Sequence, residues 1–118
     1  MNTYFYRARV VKVVDGDTVD VDIDLGFGSW LHKQRLRLYG INAPEVRGPQ
    51  REAGLITTDW LKERIDGRDI FIETFKAEGS KGKYGRWLAN LYTVEAGAAA
   101  INLNQQMVTL GLAWKADY

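Results

Sequence analysis

The chain has 118 residues and a formal net charge of +1, with 46% apolar and 26% charged residues. That length suits one domain around one core. The absence of cysteine excludes a disulfide framework, a thiolate zinc site and a cysteine nucleophile, and no apolar run reaches transmembrane length.

The opening MNTYFYRARV lacks the apolar stretch and cleavage site of a signal peptide, so a cytoplasmic location is expected over a secreted one. Residues 4–14, YFYRARVVKVV, are rich in β-branched and aromatic types and predict a first strand. Asp15-Gly16 signals a turn. Residues 17–25 alternate, with Val19, Val21, Ile23 and Leu25 on one side and Asp20, Asp22 and Asp24 on the other, the pattern of a half-buried strand. GFGSWLHK reads as a loop. In QRLRLYGI, residues 34–41, Leu36 and Leu38 face inward and Arg35 and Arg37 outward.

Pro44, Gly48 and Pro49 break the alternation. EAGLITTDWLKERI then places Ala53, Ile56, Trp60, Leu61 and Ile65 along one side of a helix that Gly67 ends. DIFIETF (69–75) predicts a strand, KAEGSKGKYG a polar loop, and RWLANLYTV another strand. Leu103, Met107 and Leu110 recur at helical spacing before Gly111. Five strands, with one helix after the third and one after the fifth, predict a small closed barrel of the mainly β, α+β class rather than a parallel sheet.

Five of the nine aspartates fall within Asp15–Asp24. Asp20, Asp22 and Asp24 lie opposite the valines and read as a solvated strand face. An EF-hand is ruled out, because a twelve-residue loop from Asp20 ends on Leu31 rather than glutamate. Asp17 shares the parity of the inward row, where a carboxylate needs a cation or several donors. A capped turn around Gly16 and a metal ligand both satisfy that requirement.

Arg37 comes just before INAPE, a rigid corner: Ala43 is held extended by Pro44, and Glu45 stands at a strand end. KGKYGR offers Lys83, Tyr84 and Arg86 as phosphate donors and an aromatic face; the plainer alternative is a solubilising hairpin. His32, the one histidine, reads as a surface residue. Trp60, Trp87 and Trp114 lie in apolar stretches and read as core or rim, with Trp30 left open.

Taken in order, DGDTV, RLRLYGINAPE, the amphipathic helix, KYGRWLANLY and NLNQQMVTLGLAW resemble the staphylococcal nuclease (thermonuclease) family. The resemblance runs from about Val11 to Trp114. It implies a single domain over residues 1–118: a five-stranded OB-fold barrel with flanking α-helices. It also implies a calcium-dependent nuclease acting on DNA, RNA or both. Carried over by motif, Asp17, Asn42 and the Ala43 carbonyl are the implied calcium ligands. Glu45 is the implied general base, Arg37 and Arg86 grip the scissile phosphate, and Lys83 and Tyr84 hold a terminal phosphate. Single-stranded substrate, no membrane and a monomer are the accompanying expectations. A non-catalytic OB-fold that binds nucleic acid is the competing one.

Three departures bear on these expectations. Asn42 stands where the family carries a second metal carboxylate, which predicts weaker calcium binding. Asp117, followed by Tyr118, occupies the place of a family tyrosine. The chain stops where family members usually add a C-terminal helix, and its loop from Glu45 to the first helix is short.

Overall fold

The computed structural model describes residues 4–75, 87–94 and 97–116. The elements in chain order are β1 (Tyr4–Asp15), β2 (Thr18–Gly26), β3 (Ser29–Leu38), β4 (Ile41–Asn42), a 3-10 turn (Gly48–Gln50), α1 (Arg51–Ile65), β5 (Asp69–Phe75), β6 (Trp87–Thr93), β7 (Ile101–Asn102), α2 (Leu103–Thr109) and β8 (Trp114–Lys115). The main sheet runs β3-β2-β1-β5-β6-β7, and a parallel β3–β6 pairing, Leu36 to Trp87 through Leu38 to Ala89, closes it. The result is a five-stranded mixed barrel with two helices, an OB-fold of the staphylococcal nuclease type. Closure removes free edges, which a sheet of this size must otherwise shield.

The alternation seen in the sequence builds the interior. Val19, Val21 and Ile23 of β2 pack with Ala8, Val10 and Val13 of β1 and with Leu36 and Leu38 of β3. Ile70, Ile72, Ala89 and Leu91 complete the wall, and Leu61, Ile65, Leu103 and Met107 reach in from the helices. On the outer face Asp20 pairs with Arg35 at 2.8 Å, and Asp22 lies 3.3 Å from His32 Nδ1. Asp24 accepts from the Gly26 amide. The solvated-face reading of these three aspartates therefore holds.

Three expectations are corrected. GFGSWLHK is not a loop, because β3 begins at Ser29. The reversal is the two residues Phe27-Gly28, with φ of 57° and 76° between the paired Gly26 and Ser29, as a type I′ hairpin requires. The hairpin extends past the core, so Leu25, Trp30 and Leu31 stay exposed and their spacing carries no inward signal. The buried side of α1 is Gly54, Thr57, Thr58, Leu61 and Ile65, whereas Ala53 is exposed and Ile56 is 57% exposed. The helix turns its small residues inward because the Pro44-Glu45 corner presses against Gly54. Likewise α2 ends at Thr109 and leaves Leu110 exposed.

Buried Asn104 fastens α2 to the barrel. Its amide nitrogen donates to the Tyr39 and Ala89 carbonyls at 2.9 and 3.0 Å, and its oxygen accepts from the Leu91 amide at 3.1 Å. Thr57 Oγ1 donates to the Leu112 carbonyl at 2.7 Å, which ties α1 to the segment entering β8.

Candidate functional site

The site is built at the β1–β2 turn. Asp15 ends β1, and its carboxylate accepts the Asp17 amide at 3.1 Å, an Asx turn that fixes the reversal. A Cβ on Gly16 would stand 2.7 Å from both the Ala43 and Thr57 side chains. Only a glycine lets the turn press so closely on the β4 segment and on α1. Asp17 is thereby aimed at the NAPE corner: its Oδ2 accepts the Ala43 amide at 2.9 Å, and Thr18 Oγ1 lies 3.3 Å from its Oδ1.

Arg37 enters the same place from β3, where it pairs with Thr18. Its Nη1 lies 2.9 Å from Asp17 Oδ2 and 3.2 Å from the Asp17 carbonyl, and its Nη2 donates to Asn42 Oδ1. The two side chains of the ion pair are only 14% and 17% exposed. Arg35, two residues away, is exposed. The alternation of β3 put both arginines outward, but the Asp17 turn and the short β4–β8 ribbon close over Arg37 alone.

In that ribbon Asn42 pairs with Trp114 and Ile41 with Lys115. Alternation sends the first pair into a cleft of about 400 Å3 shared with Asp15, Asp17, Arg37 and Glu45. It sends the second pair into a neighbouring groove of about 600 Å3. Glu45 is exposed at the cleft rim, and its amide donates to Gln50 Oε1 at 3.1 Å. Gly54 underlies it: a Cβ there would come within 2.9 Å of the Pro44 carbonyl and nearer still to that of Glu45.

Among the described residues, the cleft is lined by more carboxyl groups than cations. Burial, and next the neighbouring Asp17 carboxyl, raise the Asp15 pKa to about 6. Arg37 is the single cation among the described residues lining the cleft. No group of three or more His, Cys, Asp or Glu is arranged for a metal among the described residues. The available donors are instead the three carboxyl groups of Asp15, Asp17 and Glu45, the side-chain amide oxygens of Asn42 and Gln50, and backbone carbonyls, all of them hard oxygens.

Of the expected site residues, Asp17, Arg37, Asn42, Ala43 and Glu45 line this one cleft. Lys83, Tyr84 and Arg86, like Asp117 and Tyr118, lie outside the described residues. Sequence reasoning missed Gln50, Gly54 and Trp114, and it read Asp15 only as a cap of the turn, a bond that is present, and not as part of the cleft lining. Gly54, Thr58, Leu61 and Ile65 do recur at helical spacing, so a stripe with small residues at its start could have revealed the helix–corner contact. Nothing local marks Trp114, because its neighbour Asn42 is distant in sequence.

The sequence pattern of the staphylococcal nuclease homologues matches residues 35–118. An uncharacterized endonuclease of Escherichia coli O157:H7 is 34% identical over 108 residues, covering 92% of this chain and 60% of that protein. A thermonuclease of Staphylococcus hyicus is 33% identical over 87 residues (71% of this chain, 47% of that protein), and a micrococcal nuclease of Shigella flexneri 29% over 117 residues (96% and 60%). The chain thus spans about 60% or less of the length of these relatives. With the barrel, the order of the motifs and the match over its last 84 residues in agreement, the chain belongs to the family of staphylococcal nuclease homologues.

Proposed function

We propose that this chain is a calcium-dependent nuclease that hydrolyses phosphodiester bonds of DNA, RNA or both. The observation that carries the reading is the convergence of Asp17, Arg37, Asn42, Ala43 and Glu45 on one cleft. Relatives named thermonuclease and micrococcal nuclease support it. Mere binding would not require a carboxylate poised beside the phosphate grip.

The donor set fits calcium, which takes several hard oxygens in flexible geometry. Burial first, and then the neighbouring Asp17 carboxyl, raise Asp15, and a divalent cation beside the two would favour their charged forms. Asp17, Asn42 and the Ala43 carbonyl would hold the ion. Bound there, it supplies Lewis-acid polarisation of the phosphate and charge neutralisation.

The chain's own residues do the remainder. The forked guanidinium of Arg37 binds two non-bridging oxygens, a geometry lysine lacks, and stabilises the charge that grows on them in the transition state. Arg86 supplies the second fork, with Lys83 and Tyr84 holding an adjacent phosphate; their place in the KYGR motif supports these roles. Glu45 takes a proton from the attacking water as the phosphorus–oxygen bond opposite breaks. General-base catalysis of this kind contributes about 10²–10⁴-fold.

The test is incubation with denatured DNA, first with calcium and then with a chelator. Cleavage that the chelator abolishes, and that Glu45→Gln lowers by about 10²-fold or more, is expected. The contacts of Asn42 and Asp17 with Arg37 would also suit a phosphate-binding OB-fold without hydrolysis. Salt-dependent binding with no cleavage would establish that alternative and overturn the enzyme.

A further inference from the structure

We propose that Gln50 is the positioning residue of the general base: its side chain holds the Glu45 amide and so fixes where that carboxylate stands in the cleft. This rests on the nuclease reading and adds to it the residue that aims its base.

No hydrogen bond or ion pair to another described residue holds the Glu45 carboxylate itself. Its place is therefore set through the main chain, and two contacts do that. The Glu45 amide donates to Gln50 Oε1 at 3.1 Å. The Glu45 carbonyl lies against Gly54, where the absence of a Cβ leaves it room. One contact holds the residue ahead of its Cα and the other behind it, so only the side-chain torsions stay open. An amide N–H meets only an acceptor, which turns the oxygen of the Gln50 carboxamide toward the corner.

Gln50 stands at the N-cap of α1. Ser, Thr, Asp and Asn are favoured there because their short side chains accept from the first amides of the helix. Gln50 makes no such bond; its side chain reaches back five residues to the corner instead. The helix start goes without a side-chain cap while the corner gains an anchor, and a local rule broken in this way marks a functional site. The chain between the two residues is short and stiff. Only Val46, Arg47, Gly48 and Pro49 separate them. Gly48 turns the backbone at a φ of 67°, which glycine adopts without steric penalty, and Pro49 fixes φ in the 3-10 turn. A neutral acceptor also suits the place. Glutamate would accept the same amide but would add a negative charge beside the base and the phosphate.

Gln50→Met keeps the length of the side chain and removes the acceptor. An exposed hydrogen bond adds little to stability, so the variant should fold as the wild type does. With denatured DNA and calcium it is expected to lower kcat by about tenfold to 10²-fold, the effect of misplacing a reacting group by about 1 Å. KM and the calcium dissociation constant should stay unchanged, because the base acts only in the transition state. Gln50→Glu, which restores an acceptor, should recover most of kcat. In the Glu45→Gln background, Gln50→Met should lower the residual rate no further, since a residue that acts through the base has no effect once the base is gone. Hydrogen exchange of the Glu45 amide, followed by NMR in chelator, reads the bond without any cleavage: Gln50→Met should speed it by about tenfold and Gln50→Glu should not. Unchanged exchange in Gln50→Met, or an equal loss of rate in both backgrounds, overturns the proposal. A wild-type protein that cleaves nothing overturns the nuclease reading and this one with it, whereas a Gln50→Met protein with wild-type kcat overturns this one alone.

Discussion

Arg37 meets Asp17 as a nearly buried pair, Nη1 to Oδ2 at 2.9 Å, and the same arginine holds Asn42. The residue proposed to bind substrate also neutralises the carboxylate proposed to bind metal. Removing one partner of such a pair leaves an uncompensated charge, at a cost of about 3–5 kcal/mol when burial is complete. The small residual exposure lowers that cost. Arg37→Met is therefore expected to destabilise the metal-free protein by about 2–3 kcal/mol, measured by urea unfolding in chelator. Calcium should raise the melting temperature of the variant more than that of the wild type, because the ion then compensates Asp17. Equal calcium shifts would count against Asp17 as a ligand.

Asn42→Asp keeps the acceptor for Arg37 and adds the carboxylate missing from this site. Ligand charge tunes calcium affinity over orders of magnitude, so the variant is expected to bind calcium about tenfold more tightly. Titration calorimetry checks this. An unchanged dissociation constant would remove Asn42 from the ligand set.

The barrel was legible because hydrophobic alternation is a local signal and one face of every long strand is buried. Val19, Val21 and Ile23, and Leu36 with Leu38, announced their faces directly. The outer half of the β2–β3 hairpin was not legible, since Leu25, Trp30 and Leu31 bury little on either side and pairing alone holds them. Asp17 was narrowed to a cap or a ligand from its parity, and the turn does contain the Asp15 cap. That Arg37 rather than Arg35 is enclosed depends on the β4–β8 ribbon, which joins residues more than seventy positions apart. Trp114 was unreadable for the same reason. The face of α1 was misread because glycine and threonine, not the larger Ile56, fit beneath the Glu45 corner.

Asp15 carries a pH signature. Its pKa is about 6 in the folded protein against about 3.9 in an unfolded chain. The folded state thus binds this proton more tightly, and the group favours folding most below about pH 4. That contribution declines as pH rises from about 4 to about 6 and is lost above it. Asp15→Asn keeps an oxygen for the Asp17 amide and removes the buried charge. In chelator it is expected to be more stable than wild type at pH 7.5, with the difference shrinking toward zero at pH 4. Denaturant unfolding at the two pH values measures it, and a pH-independent difference would contradict the assignment.

Gly54→Ala tests whether the helix sets the position of the Glu45 corner. Alanine gains about 1 kcal/mol in helix propensity over glycine, and at an exposed helical site that gain would dominate. Here the added methyl meets the backbone carbonyls of Pro44 and Glu45, which cannot rotate away as side chains do. Overpacking against such neighbours costs about 1–3 kcal/mol, and relief requires α1 or the corner to move. The variant is therefore expected to be no more stable than wild type despite its better helix former. Displacing Glu45 by about 1 Å can lower turnover by about 10²-fold, so activity per folded molecule should fall well beyond any loss of stability. Ile56→Ala, on the exposed side of the same helix, should leave activity unchanged. A Gly54→Ala protein that is both stabilised and fully active would show that the corner is positioned from elsewhere, with Gln50 and its bond to the Glu45 amide the next residue to test.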